Sequence, residues 1–369
     1  MLYRDFKGEQ LSWLGMGNMR LPVDTSKVTR PIDYDAAQQI IDYAMAQGVN
    51  YYDTAYVYHA GGSEDFLGHA LAKYPRESYS LATKYFLGAG GTPKRVFEKQ
   101  LEKLQTDYID FYLIHSIMDL SFKQYIRTGA VKYFIEQKKA GRIRHLGFSS
   151  HAKPKNLRKF AEHHDWDFVQ LQINYNDWVF GTAKEEYEIA CEFGLPVIVM
   201  EPVKGGNLAN LNGQANELLR TAEPDRSIAS WAMRWLMRLD NVKVVLSGMG
   251  TMEQIQDNVA TFAEGAALND ADTNLLMTAL NLSHNKNVEP CTTCRYCCDD
   301  CPESIDIPTV IHLYNRLRTE GRDAAPAIRA ELAQLDAGPE DCIACGTCTQ
   351  HCPQGIAIPE VMEKFAAAI

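Results

Sequence analysis

The chain has 369 residues, a formal net charge of −10, and 46% hydrophobic against 23% charged residues. That length exceeds one small domain, and that composition can bury a large core. The acidity, with no basic stripe interleaved with aromatics, argues against nucleic acid as a partner, and no apolar run reaches the roughly 18 residues that would cross a bilayer. The opening MLYRDFKGEQLSW lacks the charged-then-apolar pattern of a secretory leader, so the expectation is a cytoplasmic protein with no membrane partner. Ten cysteines in that setting read as reduced thiols or metal ligands rather than disulfides.

After a short polar opening, apolar strand-like runs alternate with helix-like segments. The strands are expected at 14–19, 49–55, 79–85, 108–115, 143–150, 168–174, 196–202 and 242–249. Between them lie stretches such as DAAQQIIDYAMAQG and KRVFEKQLEKLQ, with apolar residues at helical spacing. Gly48, Gly141 and Gly194 each stand where a helix should stop before the next strand. Eight such units predict an α/β fold of the (β/α)₈ TIM-barrel type. A doubly wound open sheet is the alternative, and it lacks the G-x-G-x-x-G that would open its first helix. Residues 266–285 read as a closing helix and exit. The division expected is a barrel over 1–283 and a smaller, mainly helical domain over 284–369.

Barrel enzymes carry their chemistry at the C-terminal ends of the strands. The second strand ends at Asp53, with Tyr58 five positions on; the third ends at Lys84 and the fourth at His115. A tyrosine is a poor acid at neutral pH until a neighbouring ammonium, itself held by a carboxylate, stabilises its phenolate. A histidine beside it can orient a carbonyl oxygen. The set suits protonating that oxygen while hydride arrives at carbon. Tyr56 competes with Tyr58 for the donor role, Glu64 and Asp65 after Ser63 read as a helix start, and Cys191 reads as a buried apolar residue in a helix.

DTAYVYHAGGSEDFLGHAL, LATK, LIHS, GFSS, QINYN and SGMGTMEQIQDN together resemble the aldo-keto reductases, over roughly residues 1–280. The resemblance implies catalytic Asp53, Tyr58, Lys84 and His115, a nicotinamide cofactor, and a small-molecule carbonyl or alcohol substrate. It places the nicotinamide and pyrophosphate contacts at Gly17, Ser149, Gln172 and the segments 200–206 and 247–258. Three departures stand out. Ser149-Ser150 replaces the usual Ser-Asn. Met200, followed by Glu201 and Pro202, takes the place of an aromatic that stacks on nicotinamide. Gly248, Met249 and Gln254 occupy the positions where relatives preferring NADP carry Lys, Ser and Arg, while Asp257-Asn258 keeps the adenine-binding pair. With no cation at those positions for a 2′-phosphate, NAD(H) is expected at least as readily as NADP(H).

The other nine cysteines lie beyond residue 290. Residues 291–302 (CTTCRYCCDDCP) and 342–353 (CIACGTCTQHCP) each contain C-x₂-C-x₂-C-x₃-C-P, a spacing suited to [4Fe–4S] cubes whose fourth ligand crosses to the neighbouring loop. The crossing predicts one cluster on Cys291, Cys294, Cys297 and Cys352 and another on Cys342, Cys345, Cys348 and Cys301, leaving Cys298 spare. Zinc is the alternative, but zinc sites usually use two ligand pairs. Both loops leave through I-x-I-P, at Ile305–Pro308 and Ile356–Pro359, into helix-like runs. This module resembles the two-cluster ferredoxins, which implies electron transfer with a redox partner protein.

Nicotinamide moves two electrons as hydride, whereas each cube moves one, and no flavin motif is present to mediate. Three roles therefore stay open for the clusters: serving a partner with its own flavin, serving a radical reduction in the barrel, or structure alone. The reading that competes with an enzyme is a nicotinamide-binding redox sensor or docking protein. Neither the substrate nor the oligomeric state is legible from the residues.

Overall fold

The computed structural model describes residues 1–27, 29–119, 121–284, 288–298 and 300–369. An antiparallel hairpin, β1 (Tyr3–Phe6) and β2 (Glu9–Ser12), precedes eight barrel strands. These are β3 (Leu14–Gly17), β4 (Tyr51–Asp53), β5 (Ser80–Tyr85), β6 (Ile109–Ile117), β7 (Ile143–Ser150), β8 (Val169–Gln172), β9 (Val197–Met200) and β10 (Val242–Ser247). Each barrel strand pairs in parallel with the next, and β10 closes on β3. The expected eight-stranded barrel is present.

Burial on both faces explains the near-continuous apolar runs: all nine residues of β6 are buried. Gly48, Gly141 and Gly194 sit at positive φ where the preceding helices end, the conformation a side chain would disfavour. The opening segment is not merely a polar lead-in. Phe6 and Leu11 enter one buried cluster with Tyr51, Phe111, Phe168 and Val244, so the hairpin contributes to the barrel's apolar core. Cys191 also departs from expectation. It lies on the helix Ala183–Glu192 but is exposed, because Ile189 and Ala190 form the buried face and the next residue turns away from it.

The chain divides into two compact units, one of residues 1–203 and 219–276, the other of 204–218 and 277–369. The expected 283/284 boundary adjoins residues 285–287, which lie outside the described residues. In the second unit, helices Ile307–Glu320, Ala325–Leu332 and Ile358–Ala368 surround a core that includes Ile305, Val310, Ile311, Ile356 and Phe365. Pro308 and Pro359 fall in the first turn of their helices, where a missing N–H costs nothing. The segment 204–218 packs within this unit. Gly205 is so close to Thr292 that a Cβ would meet its carbonyl oxygen at 2.6 Å, and Asn207 Nδ2 donates to the Cys291 carbonyl at 3.2 Å.

Candidate active site and cluster-ligand cysteines

The ends of β4, β5 and β6 bring three of the predicted residues to the barrel rim, and the turn after β4 brings Tyr58. Lys84 is wholly buried and donates to Asp53 Oδ1 and to the Thr54 carbonyl, both at 2.6 Å. Its Nζ lies 5.0 Å from the centre of the Tyr58 ring, and that ring meets His115 edge-on with centroids 6.0 Å apart. Tyr58 is buried, whereas Tyr56 is partly exposed, with the Lys103 Nζ 5.8 Å from its ring centre. His59 and Ala60, next after Tyr58, adopt left-handed backbone, a cost tolerated where the fold needs a tight turn. Asn18 fixes the base of Asp53, its backbone N–H and its Nδ2 each donating to the Asp53 carbonyl at 2.9 Å.

Desolvation dominates the electrostatics. Burial pushes the Asp53 carboxyl up, with the Lys84 ammonium opposing. Burial likewise pushes Lys84 down, opposed by Asp53 and then by Glu64. His115 falls well below the ordinary imidazole value through burial, reinforced by Lys84 and His151. It is therefore a neutral hydrogen-bonding group at neutral pH. Asp53 Oδ2 is buried and has no hydrogen-bond partner among the described residues, the kind of orphan acceptor that a bound polar ligand satisfies.

Several residues around this site were given no part in it from sequence, Glu64 being expected only at a helix start. Glu64 is wholly buried, and its Oε1 accepts from Thr83 Oγ1 and Gln100 Nε2, both at 2.7 Å. Gln100 also donates to the Lys84 carbonyl at 3.0 Å and accepts from Tyr112 at 2.6 Å. The helix carrying Glu64 starts at Gly62, just before Ser63, whose hydroxyl instead donates to the Asn18 carbonyl at 2.9 Å. His151 hydrogen-bonds Gln172 and is lowered to about 4 by burial.

The cysteines of the second unit surround two hollows. One is lined by Cys291, Cys294, Cys297 and Cys352. The other is lined by Cys301, Cys342, Cys345 and Cys348. Both sets contain one cysteine from the opposite loop. The remaining walls are mostly apolar, and Ile358 lines both hollows. Among the described residues, no three His, Cys, Asp or Glu side chains gather as a single ion would require. The thiols thus ring spaces rather than a point, and four soft donors around an apolar space fit a cubane cluster. Cys298 lines neither hollow.

The aldo/keto reductase family model matches residues 13–279. The chain belongs to that family. A 4Fe-4S dicluster domain model matches residues 290–357, so this aldo/keto reductase carries a 4Fe-4S dicluster domain C-terminal to its barrel in sequence. It is 28% identical over 211 residues to "Probable aldo-keto reductase 1" of Glycine max, covering 54% of this chain and 58% of that protein. It is 26% identical over 276 residues to the NADH-specific methylglyoxal reductase of Escherichia coli, covering 62% and 82%. An aldo-keto reductase of Bacillus halodurans in its holo form superposes with a TM-score of 0.62 at 26% identity, covering 76% of this chain and 96% of that one.

The reductase's other predicted contacts form four groups. Gly17 and Gly248 lie together where β3 meets β10: a Cβ on Gly17 would stand 3.6 Å from the Gly248 nitrogen. Ser149 and Ser150 end β7. The Ser149 Oγ accepts from the Ser116 N–H at 2.8 Å, and the Ser150 Oγ accepts from the Ala152 N–H at 3.1 Å. Gln172 and Met200 are register partners on β8 and β9, with Pro202 just beyond. Gln172 Nε2 donates to Asp177 Oδ2 at 2.7 Å. Gln254, Asp257 and Asn258 share the helix Met252–Glu264, where Asp257 accepts from Ser227 at 2.7 Å and Asn258 donates to Ser247 at 2.8 Å. Arg20 was not anticipated here. Its stem passes so near Gly248 that a Cβ there would meet it at 3.2 Å.

Proposed function

We propose that this reductase interconverts a small carbonyl compound and its alcohol by nicotinamide-dependent hydride transfer, and that its two [4Fe–4S] clusters exchange electrons with a partner protein. The observation that carries the first part is the wholly buried Asp53–Lys84 pair beneath the Tyr58 ring. A bound nicotinamide supplies or accepts the hydride. Tyr58 gives its phenolic proton to the carbonyl oxygen in reduction and takes it back in oxidation. Lys84 favours the phenolate, Asp53 holds Lys84 in place, and neutral His115 orients the oxygen. Gly17, Ser149, Ser150, Gln172, Met200, Pro202, Gly248, Gln254, Asp257 and Asn258 would hold the cofactor.

Tyr58→Phe tests the reading with methylglyoxal as probe substrate. Turnover should fall by at least about a hundredfold, the lower end of a general-acid contribution, while reduced nicotinamide still binds by fluorescence titration. Unchanged turnover would instead support a nicotinamide-binding sensor. For the cofactor, NAD(H) is proposed to serve at least as well as NADP(H), since positions 248, 249 and 254 carry no cation. Arg20 is the residue that could offset this. A kcat/KM more than about tenfold higher with NADPH, abolished in Arg20→Ala, would reverse the proposed preference.

The second part is supported by the two four-cysteine hollows, which share Ile358 as a lining residue, an arrangement suited to one-electron exchange between neighbouring centres. The proposed compartment is the cytoplasm. No described helix is long and apolar enough to cross a membrane.

A further inference from the structure

The two hollows differ in what covers them. None of the four cysteines around the first is exposed, and its rim is covered within the unit by the 204–207 segment. There, Gly205 abuts Thr292, Asn207 bonds the Cys291 carbonyl, and Lys204 Nζ donates at 3.3 Å to Gln354, which lines the hollow. The second hollow opens outward. Cys345 is exposed, Pro302, Glu303 and Ala344 around it are exposed too, and Ile343 on its wall is 60% exposed. No large hydrophobic among the described residues is more exposed than Ile343. An apolar tip beside a redox centre is costly to leave in water and useful in an interface.

Charge marks the chain around the same cysteines. The stretches 296–306 and 333–353 contain no lysine or arginine, yet carry Asp300, Glu303, Asp306, Asp336, Glu340 and Asp341. Arg295 meets Asp306 and His351 meets Asp300, while Glu303 and Glu340 stand exposed. Glu303 on the wall of the open hollow and Glu340, two residues before Cys342, therefore put exposed negative charge beside an exposed thiol and an apolar side chain.

We propose that this rim is the docking face for a small protein electron carrier whose own one-electron centre is ringed by basic residues. The proposal rests on the electron-transfer reading above and adds where the partner sits and what its surface must be. The transfer moves one electron, oxidising the outer cluster by one level and reducing the partner's haem, flavin or iron–sulphur centre by one level, with no bond or proton moved. The difference in exposure makes the covered site the inner station and the open one the outer, and Ile358 lines both.

The test uses the full chain, reduced with dithionite, desalted without oxygen and mixed in stopped flow with cytochrome c, a basic haem protein, or with ferricyanide, a small anion. Glu303→Lys/Glu340→Lys should slow cytochrome c reduction about tenfold or more at low salt and speed that of ferricyanide, since steering of charged partners follows the local field. Wild-type reduction of cytochrome c should slow as salt rises from about 10 to about 300 mM, as screening shortens the reach of the rim, which tests the field even if the double variant loses iron. Equal rates in wild type and variant with no salt dependence would overturn the docking face alone. So would an equal effect from Asp323→Lys, an exposed acid on the helical spacer. Failure of the wild type to reduce either acceptor would remove the electron-transfer reading and the docking face with it.

Discussion

Lys84 and Asp53 are buried together, 2.6 Å apart. Removing one partner strands the other as an uncompensated buried charge, at a cost of about 3–5 kcal/mol. Asp53→Asn should therefore lower stability by that order, read from the urea midpoint, as well as impair turnover. His151 provides a pH test. Its folded value of about 4 lies below the roughly 6.5 of a free imidazole. As pH falls from about 7 towards 4, the unfolded chain takes up a proton that the folded chain refuses, so stability decreases with acidity across that window. The loss amounts to about 3 kcal/mol at most, at about 1.4 kcal/mol for each tenfold, and His115 adds to it in the same direction. His151→Gln should flatten the change in urea midpoint between pH 7 and pH 5. An unchanged slope would show that His151 is not the group responsible. The burial that lowers His151 was not visible in the sequence. Glu64, Gln100 and His151 matter through partners such as Thr83, Tyr112 and Gln172, which no periodicity connects to them. Asp53, Tyr58, Lys84 and His115 could be expected near one another because they follow or lie at the ends of successive barrel strands, and the structure does bring them together.

Two elements show how tertiary contact overrides local preference. Gly68 lies inside the helix Gly62–Leu71, where alanine would ordinarily be better by about 1 kcal/mol. Here a Cβ would stand 2.1 Å from the Lys103 carbonyl oxygen. The clash wins, and Gly68→Ala should lower the melting temperature instead of raising it. The hairpin is the second case. Only Phe6, Leu11 and Ser12 of its eight residues are buried, so its sequence looks polar. Its Lys7-Gly8 turn has positive φ at both positions, but lacks the Asn-Gly or Asp-Gly that would have announced it. Phe6→Ala should cost about 3–5 kcal/mol, as for other buried aromatics, measured by urea unfolding. A loss under about 1 kcal/mol would mean that the hairpin merely rests against the barrel.

On the scale of the whole molecule, the eight strands and the two cysteine loops could be read from spacing alone, because barrel and cubane both impose regular intervals on the chain. The membership of 204–218 in the cluster-bearing unit could not, since the signal is the approach of Gly205 to Thr292 across 87 positions. The crossed ligand sets make a direct prediction. Cys352→Ser should take iron from about eight to about four per chain and silence one cluster's EPR signal, and Cys301→Ser should silence the other. Loss of the same signal in both would show that each loop holds its own cluster. The split membership of the second unit bears on how such a protein could arise and be dissected. A cut at 284 does not release that unit, because fifteen of its residues are threaded between β9 and β10. The iron–sulphur region is thus not a detachable cassette: no single cut in the chain frees it whole, and a truncation after the barrel leaves its 204–218 segment behind.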